Sequence, residues 1–279
     1  PVVYAGHGDL VEDAEGNWYI VMLATRRCRN HGSMGRETFL TRVVWEDGWP
    51  VIAAGCGHLE RTLEVPTEEY RFPEEVGMCD TVCFWEKQPD ARLLGIGKRS
   101  GAAYSLTERD GVFRLYCGKQ TIRGKNCSTY FGLRQKSYQF RAAVRFFFEP
   151  QSEYETAGMV LYQNHENHLR MEIGKKGAGY CFWVTACVHA KEEMIREVFM
   201  DEGQEPWEIQ MLGENMEAQI WIGRAGESVC VCKEVSLFAY TTEEAGGFVG
   251  CTVGMYASSN GTDSGNYADY LSFTCSGEE

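Results

Sequence analysis

The run FRAAVRFFF, residues 140–148, limits what this chain can fold into more than any other stretch. Its even positions, Phe140, Ala142, Val144, Phe146 and Phe148, are all apolar, and two of its four odd positions, Arg141 and Arg145, are charged. Side chains alternate with a period of two only in an extended strand, so the segment presents one face to a core and the other to water. The pattern returns at residues 168–173, 207–211 and 217–220, and near the C-terminus Tyr267, Asp269, Leu271 and Phe273 are expected to share a face. Turn residues separate these runs: Arg109-Asp110-Gly111, Gly174-Lys175-Lys176-Gly177 and Ser259-Asn260-Gly261. Strands at this spacing, with almost no convincing helix, predict an all-β chain with an antiparallel two-sheet β-sandwich from about residue 78 onward.

The first 59 residues read differently. Residues 8–11, 18–24, 38–45 and 49–52 predict four short antiparallel strands, with turns at Glu15-Gly16-Asn17 and Glu46-Asp47-Gly48. Four strands make one blade of a β-propeller, and a lone blade cannot bury both of its faces. It is expected to lean on the sandwich, or to pair with further blades or with a second copy as a homo-oligomer. Residues 60–77, rich in Glu with Pro66 and Pro73, read as a linker. The expected division is therefore 1–59, 60–77 and 78–279.

The formal charge of −13 would repel a phosphate backbone, and no Lys/Arg stripe is present to release counterions, so nucleic acid is excluded as a partner. No run of 18 apolar residues exists to span a membrane. The chain starts Pro1-Val2-Val3-Tyr4 without Met or a basic-then-apolar leader, which suggests a piece trimmed from a larger protein. Its 12 cysteines include no CxxC pair; the nearest approaches are Cys79 with Cys83 and Cys230 with Cys232. Alternation with Val229 and Val231 places Cys230 and Cys232 on one strand face. Free thiols in a reducing, cytoplasmic setting are the expectation.

The stretches GHGDLVEDAEGNWYIVMLATR (6–26) and GRETFLTRVVWEDGWPVI (35–52) resemble the last blade of the five-bladed propeller in glycoside hydrolase family 43, in the branch of β-xylosidases and α-arabinofuranosidases. The stretches YSLTERDGVFRLY, FRAAVRFFFEPQSEYETAGMVLYQN, GGFVG and YADYLSF resemble the concanavalin A-like sandwich that follows it. The resemblance implies a jelly roll of that type preceded by one blade of an incomplete propeller. It also implies a parent enzyme that cleaves terminal xylose or arabinose from short xylo- and arabino-oligosaccharides by an inverting acid/base mechanism. Inversion needs two carboxyls about 6.5–9.5 Å apart with water between. The family's three catalytic carboxylates have no matching motif here and are implied to lie upstream, so the chain alone is expected to be inactive.

Read alone, His7 is an ordinary strand histidine; the resemblance places it near the propeller axis, where with Arg36 it forms one wall of the sugar pocket and points toward a central cation or water behind the sugar. No cofactor is required. A structural divalent cation such as calcium, with His7 nearby, is compatible with the intact enzyme. Arg36 alone reads as a solvated loop arginine, and the resemblance makes it a sugar contact whose planar guanidinium donates paired hydrogen bonds. Glu37 and Asp9 read as structural. Phe248 in GGFVG is either a plain core residue or the tip of a sandwich loop that reaches the pocket. His165 and His168 in NHENH read as a hydrated turn rather than a metal site, and Trp18, Trp45 and Trp49 as blade packing. An alternative function is a carbohydrate-binding module without a catalytic role. Its only aromatic cluster is Tyr180, Phe182 and Trp183, with Phe182 read as turned away from the other two.

Overall fold

The structure is a computed structural model that describes residues 2–60, 62–65 and 79–278. Residues 1, 61, 66–78 and 279 are outside it, and with them most of the expected linker at 60–77. Among the described residues no helix is long and apolar enough to cross a membrane.

The first unit is a four-stranded antiparallel sheet in sequence order: β1 (Val2–Glu12), β2 (Trp18–Arg26), β3 (Glu37–Glu46) and β4 (Trp49–Ile52). Local chemistry closes its turns. Asp13 Oδ1 accepts from the backbone N–H groups of Glu15 and Asn17, and the β3–β4 turn uses Asp47 and Gly48 at φ +50° and +80°, the left-handed pair that a two-residue hairpin favours. β1 extends further toward the N-terminus than the alternation at 8–11 predicts. Two irregularities interrupt it, between Val3 and Gly6 and between Gly6 and Asp9, which is why its periodicity is broken.

The second unit is the predicted sandwich. One sheet has eight strands, with Gln139–Phe148 and Tyr267–Glu278 at its centre, and the other has seven, with Thr156–Asn164 and Thr252–Ser258 at its centre. Phe140, Ala142, Val144, Phe146 and Phe148 all enter the core, where they meet Met159, Leu161, Leu169, Met171, Phe182 and Met255 from the facing sheet. The ring of Phe146 stacks on Tyr270 at 5.0 Å, and the Tyr270 hydroxyl lies 2.7 Å from the backbone carbonyls of both Gly158 and Tyr256, either of which can accept its proton. The sandwich thus covers its own inner faces, and its large side chains are dry.

Bulges correct two expectations about faces. Register shifts between Arg145 and Phe146, so that Ser272 pairs with Arg145 but Tyr270 with Phe146. Leu271 is the extra residue: Tyr267 and the buried Asp269, which pairs with Arg114, lie on the sheet face away from the core while Phe273 lies in the core, so the four do not share a face. Likewise Trp221 pairs with Cys230 and Ile220 with Cys232, leaving Val231 as the insertion. Cys232 therefore points to the core and Cys230 away from it. Gly174 is also not a turn residue. It sits within Asn167–Lys176, where an added Cβ would come within 2.6 Å of the Trp183 ring; the turn is at 177–178.

Candidate sugar-contact site at the blade–sandwich junction

The blade segment 27–36 and the sandwich segment 241–251 run against each other. Gly35 forms an antiparallel bridge with Val249, and the Cys251 N–H donates to Ser33 O at 2.7 Å. This register makes Arg36 and Phe248 direct cross-strand neighbours. The approach is close enough to dictate glycine on both sides. A Cβ on Gly35 (φ +70°) would lie 2.3 Å from Gly250 N, and one on Gly250 would lie 2.1 Å from Met34 O.

Other contacts fasten the junction. The Tyr138 hydroxyl, from the sandwich, donates to Arg26 O at 2.6 Å and lies 3.1 Å from His31 O. Burial pushes that hydroxyl up to about 12, so it stays protonated and remains a donor. His31 packs edge-on against Phe238 at 4.7 Å, and Arg29 pairs with Glu217 at 3.1 Å.

At this junction the Arg36 guanidinium carbon lies 3.7 Å above the centroid of the Phe248 ring. Phe248 is 65% exposed, so it is not a core phenylalanine, and Arg36 is only partly buried. One face of the guanidinium is covered by the ring, and no carboxylate or carbonyl among the described residues accepts from its N–H groups. The neighbouring Glu37 is committed elsewhere, since Arg26 grips it with Nε at 2.9 Å and Nη2 at 2.8 Å. The site thus offers a flat, oriented fork of donors beside an exposed aromatic ring. A sugar presents adjacent hydroxyl oxygens and an apolar C–H face, which match these two features.

The structure therefore brings two predicted residues together and leaves the third apart. His7 is exposed and sits in the irregular part of β1 at φ +49°, with no hydrogen bond to Arg36 or Phe248. Gly8 beside it carries the Ile20 side chain, which a Cβ would meet at 2.5 Å. Among the described residues no group of three or more His, Cys, Asp or Glu side chains is arranged to hold a metal ion. One imidazole is a poor site for calcium, which takes six to eight oxygen ligands. Asp9 is exposed on β1.

The remaining candidates resolve into packing. His165 lies in the turn, but His168 is a fully buried strand residue and not part of a hydrated turn. Its Nδ1 meets Asn164 O at 3.3 Å, its Nε2 has no partner, and burial pulls its pKa down to about 4. Tyr180 and Phe182 point to the core together while Trp183 faces out, the reverse of the expected split, and a single Trp makes no aromatic row. Trp18 packs edge-on against Trp45 at 5.4 Å, within the blade, while Trp49 is 76% exposed. Tyr138 and Gly250 were not legible as site residues, because nothing in sequence pairs segments more than 100 residues apart.

Both units of the chain match known proteins. The profile of the "Beta xylosidase C-terminal Concanavalin A-like domain" matches residues 81–276, and that of "Glycosyl hydrolases family 43" matches residues 1–50. A xylosidase/arabinosidase of Butyrivibrio fibrisolvens is 45% identical over 98% of this chain, which covers 53% of that protein. The non-reducing end α-L-arabinofuranosidase BoGH43B of Bacteroides ovatus is 28% identical over 99% of this chain and 52% of its own length. Among solved structures, the Bacteroides ovatus xyloglucan-locus GH43B superposes with a TM-score of 0.90 at 26% identity, over 100% of this chain and 55% of that one. The chain thus spans about half the length of the curated relatives it matches. It belongs to glycoside hydrolase family 43, with a propeller-blade sheet followed by the concanavalin A-like sandwich.

Proposed function

We propose that this chain is the C-terminal part of an exo-acting glycosidase that removes terminal xylose or arabinose from short xylo- and arabino-oligosaccharides with inversion. The observation that carries the reading is the Arg36–Phe248 pair, an oriented guanidinium without an acceptor among the described residues, stacked on an exposed ring across the blade–sandwich junction. The ring fixes the guanidinium plane, so the free N–H edge can hold two sugar oxygens at once, and Phe248 shields the terminal sugar from water. The acid and base that move protons at the glycosidic oxygen and the attacking water come from further blades of the propeller, which are this chain's partner. The apolar faces of β1 and β4 are the surfaces on which such blades would pack. Alone, the chain is expected to leave 4-nitrophenyl xyloside and arabinofuranoside intact, because both proton-transfer groups are missing.

The test is Arg36→Lys in the whole enzyme. Lysine keeps the charge but loses the paired, planar donors. kcat/KM on 4-nitrophenyl xyloside or arabinofuranoside is expected to fall by one to two powers of ten, about 1.4–2.7 kcal/mol. An unchanged kcat/KM would place Arg36 outside the pocket.

A further inference from the structure

We infer that Glu243 is a positioning residue for the sugar pocket, holding the sandwich strap that carries Phe248 in register with the blade segment that carries Arg36. The inference rests on the pocket reading proposed above. Both polar groups of the Gly32 peptide are taken by consecutive strap residues: the Gly32 N–H donates to Glu243 Oε2 at 2.7 Å, and the Thr242 N–H donates to Gly32 O at 2.9 Å. Gly32 is buried, and a Cβ on it would meet Thr25 Cγ2 at 2.7 Å, so the blade side of the clamp is held by close packing.

Phe248 lies between two fixed points. Downstream, residues 249–251 pair with 33–35. Upstream come Gly246 and Gly247 at φ +74° and +77°, with open space where a Cβ would stand. This is the loosest part of the strap; Asn164 Nδ2 donates to Ala245 O just before it, at 3.5 Å, and two further side chains steady it. Gln163 Nε2 donates to Gly246 O at 3.1 Å from within the sandwich, and Glu243 ties the preceding turn to the blade. Gln163 fixes the strap to its own sandwich, whereas Glu243 fixes it to the unit that bears Arg36. Without the Glu243 acceptor the buried Gly32 N–H loses its partner, and the turn upstream of Phe248 keeps the Thr242 N–H to Gly32 O bond but sits more loosely against the blade that bears the guanidinium. The adjacent Glu244 serves as the natural control, because it is half exposed and reaches only His31, at 3.6 Å.

The experiment compares Glu243→Ala, Glu243→Gln and Glu244→Ala in the whole enzyme, by kcat, KM and thermal melting. A gap between Phe248 and Arg36 weakens ground-state and transition-state binding alike. Glu243→Ala should therefore raise KM about five- to tenfold with kcat within about twofold. Gln retains an acceptor oxygen, so Glu243→Gln should stay within about twofold of wild type, as should Glu244→Ala. Should the alanine variant fail to fold, Glu243→Asp, one methylene too short to reach Gly32, is read against Glu243→Gln in its place. An unchanged KM in the shortened variants, or Gln as damaging as Ala, overturns the inference. Hydrogen exchange at the Gly32 amide separates the two levels of the argument. Faster exchange in Glu243→Ala with an unmoved KM overturns the positioning role if Arg36→Lys still damages kcat/KM, and overturns the pocket reading beneath it if Arg36→Lys is silent.

Discussion

The blade and the sandwich are written in the same period-two code, yet they meet opposite fates. In the sandwich, two sheets face each other, and a continuous core runs from Phe113 through Phe146, Trp207 and Ile220 to Phe273, each nearly or fully buried. In the blade, Tyr19, Met22, Ala24, Met34 and Val43 are the buried apolar residues, while Tyr4, Val11, Val44, Trp45, Trp49 and Ile52 stand in water. Alternation specifies a strand with an apolar face, but not what covers that face. The sandwich supplies its own cover; the blade obtains part of its cover from the sandwich through segment 27–36, and its outer strands remain open. The candidate site stands at the seam between the self-sufficient unit and the dependent one.

Truncating one aromatic side chain in each unit sharpens this contrast. Phe146→Ala removes a ring stacked on Tyr270 at zero exposure and should cost about 3–5 kcal/mol in a denaturant melt of the chain. Trp49→Ala, although it deletes a larger side chain, should change stability by no more than about 0.5 kcal/mol. Equal costs would mean that the open blade face is covered after all, for example by a second copy.

The histidines separate the units under acid. His168 is buried in the sandwich with its pKa lowered to about 4, while His7 on the blade is exposed. Between about pH 6.5 and 4 the unfolded chain binds a proton at His168 that the folded chain refuses. Its contribution is complete above the unfolded value and is lost as pH falls through that window, by up to about 3 kcal/mol. Melting curves at pH 7 and pH 4.5 should therefore converge more in His168→Phe than in wild type. An identical acid slope in the two proteins would show that His168 does not stay neutral.

A smaller effect belongs to the seam. Tyr138→Phe deletes the hydroxyl that tethers Arg26 O and His31 O, and should cost about 1 kcal/mol. Hydrogen exchange should place the loss at residues 26–35 rather than in the sandwich core. Uniform loss across the sandwich would mean that the blade is not a separately held unit.

Most of the fold could be read from sequence because alternation and turn chemistry are local. The expectations that failed did so where a single extra residue, Leu271 or Val231, reversed a strand's faces, since a bulge leaves no mark in an alternating pattern. Gly174 misled for a related reason: glycine signals a turn, but here it makes room for a cross-strand tryptophan. The burial of His168 is not legible in NHENH, because it depends on a tight turn in which Asn164 Oδ1 accepts from the backbone and side-chain N–H groups of Asn167. Arg36 and Phe248 were each suggested by a resembling motif. Their contact was not legible, because it depends on two glycines, 35 and 250, that only the fold brings together. Glu243 and Tyr138 carried no motif at all.

Arg36 and Phe248 are expected to act as one unit, and a double-mutant cycle on kcat/KM in the whole enzyme measures that directly. If the ring works by orienting the guanidinium, Phe248→Ala removes most of what Arg36→Lys removes. The double variant should then be little worse than the more damaged single, giving a coupling of about 1 kcal/mol or more. Fully additive losses, or no loss in either single variant, would contradict a shared sugar contact at the seam.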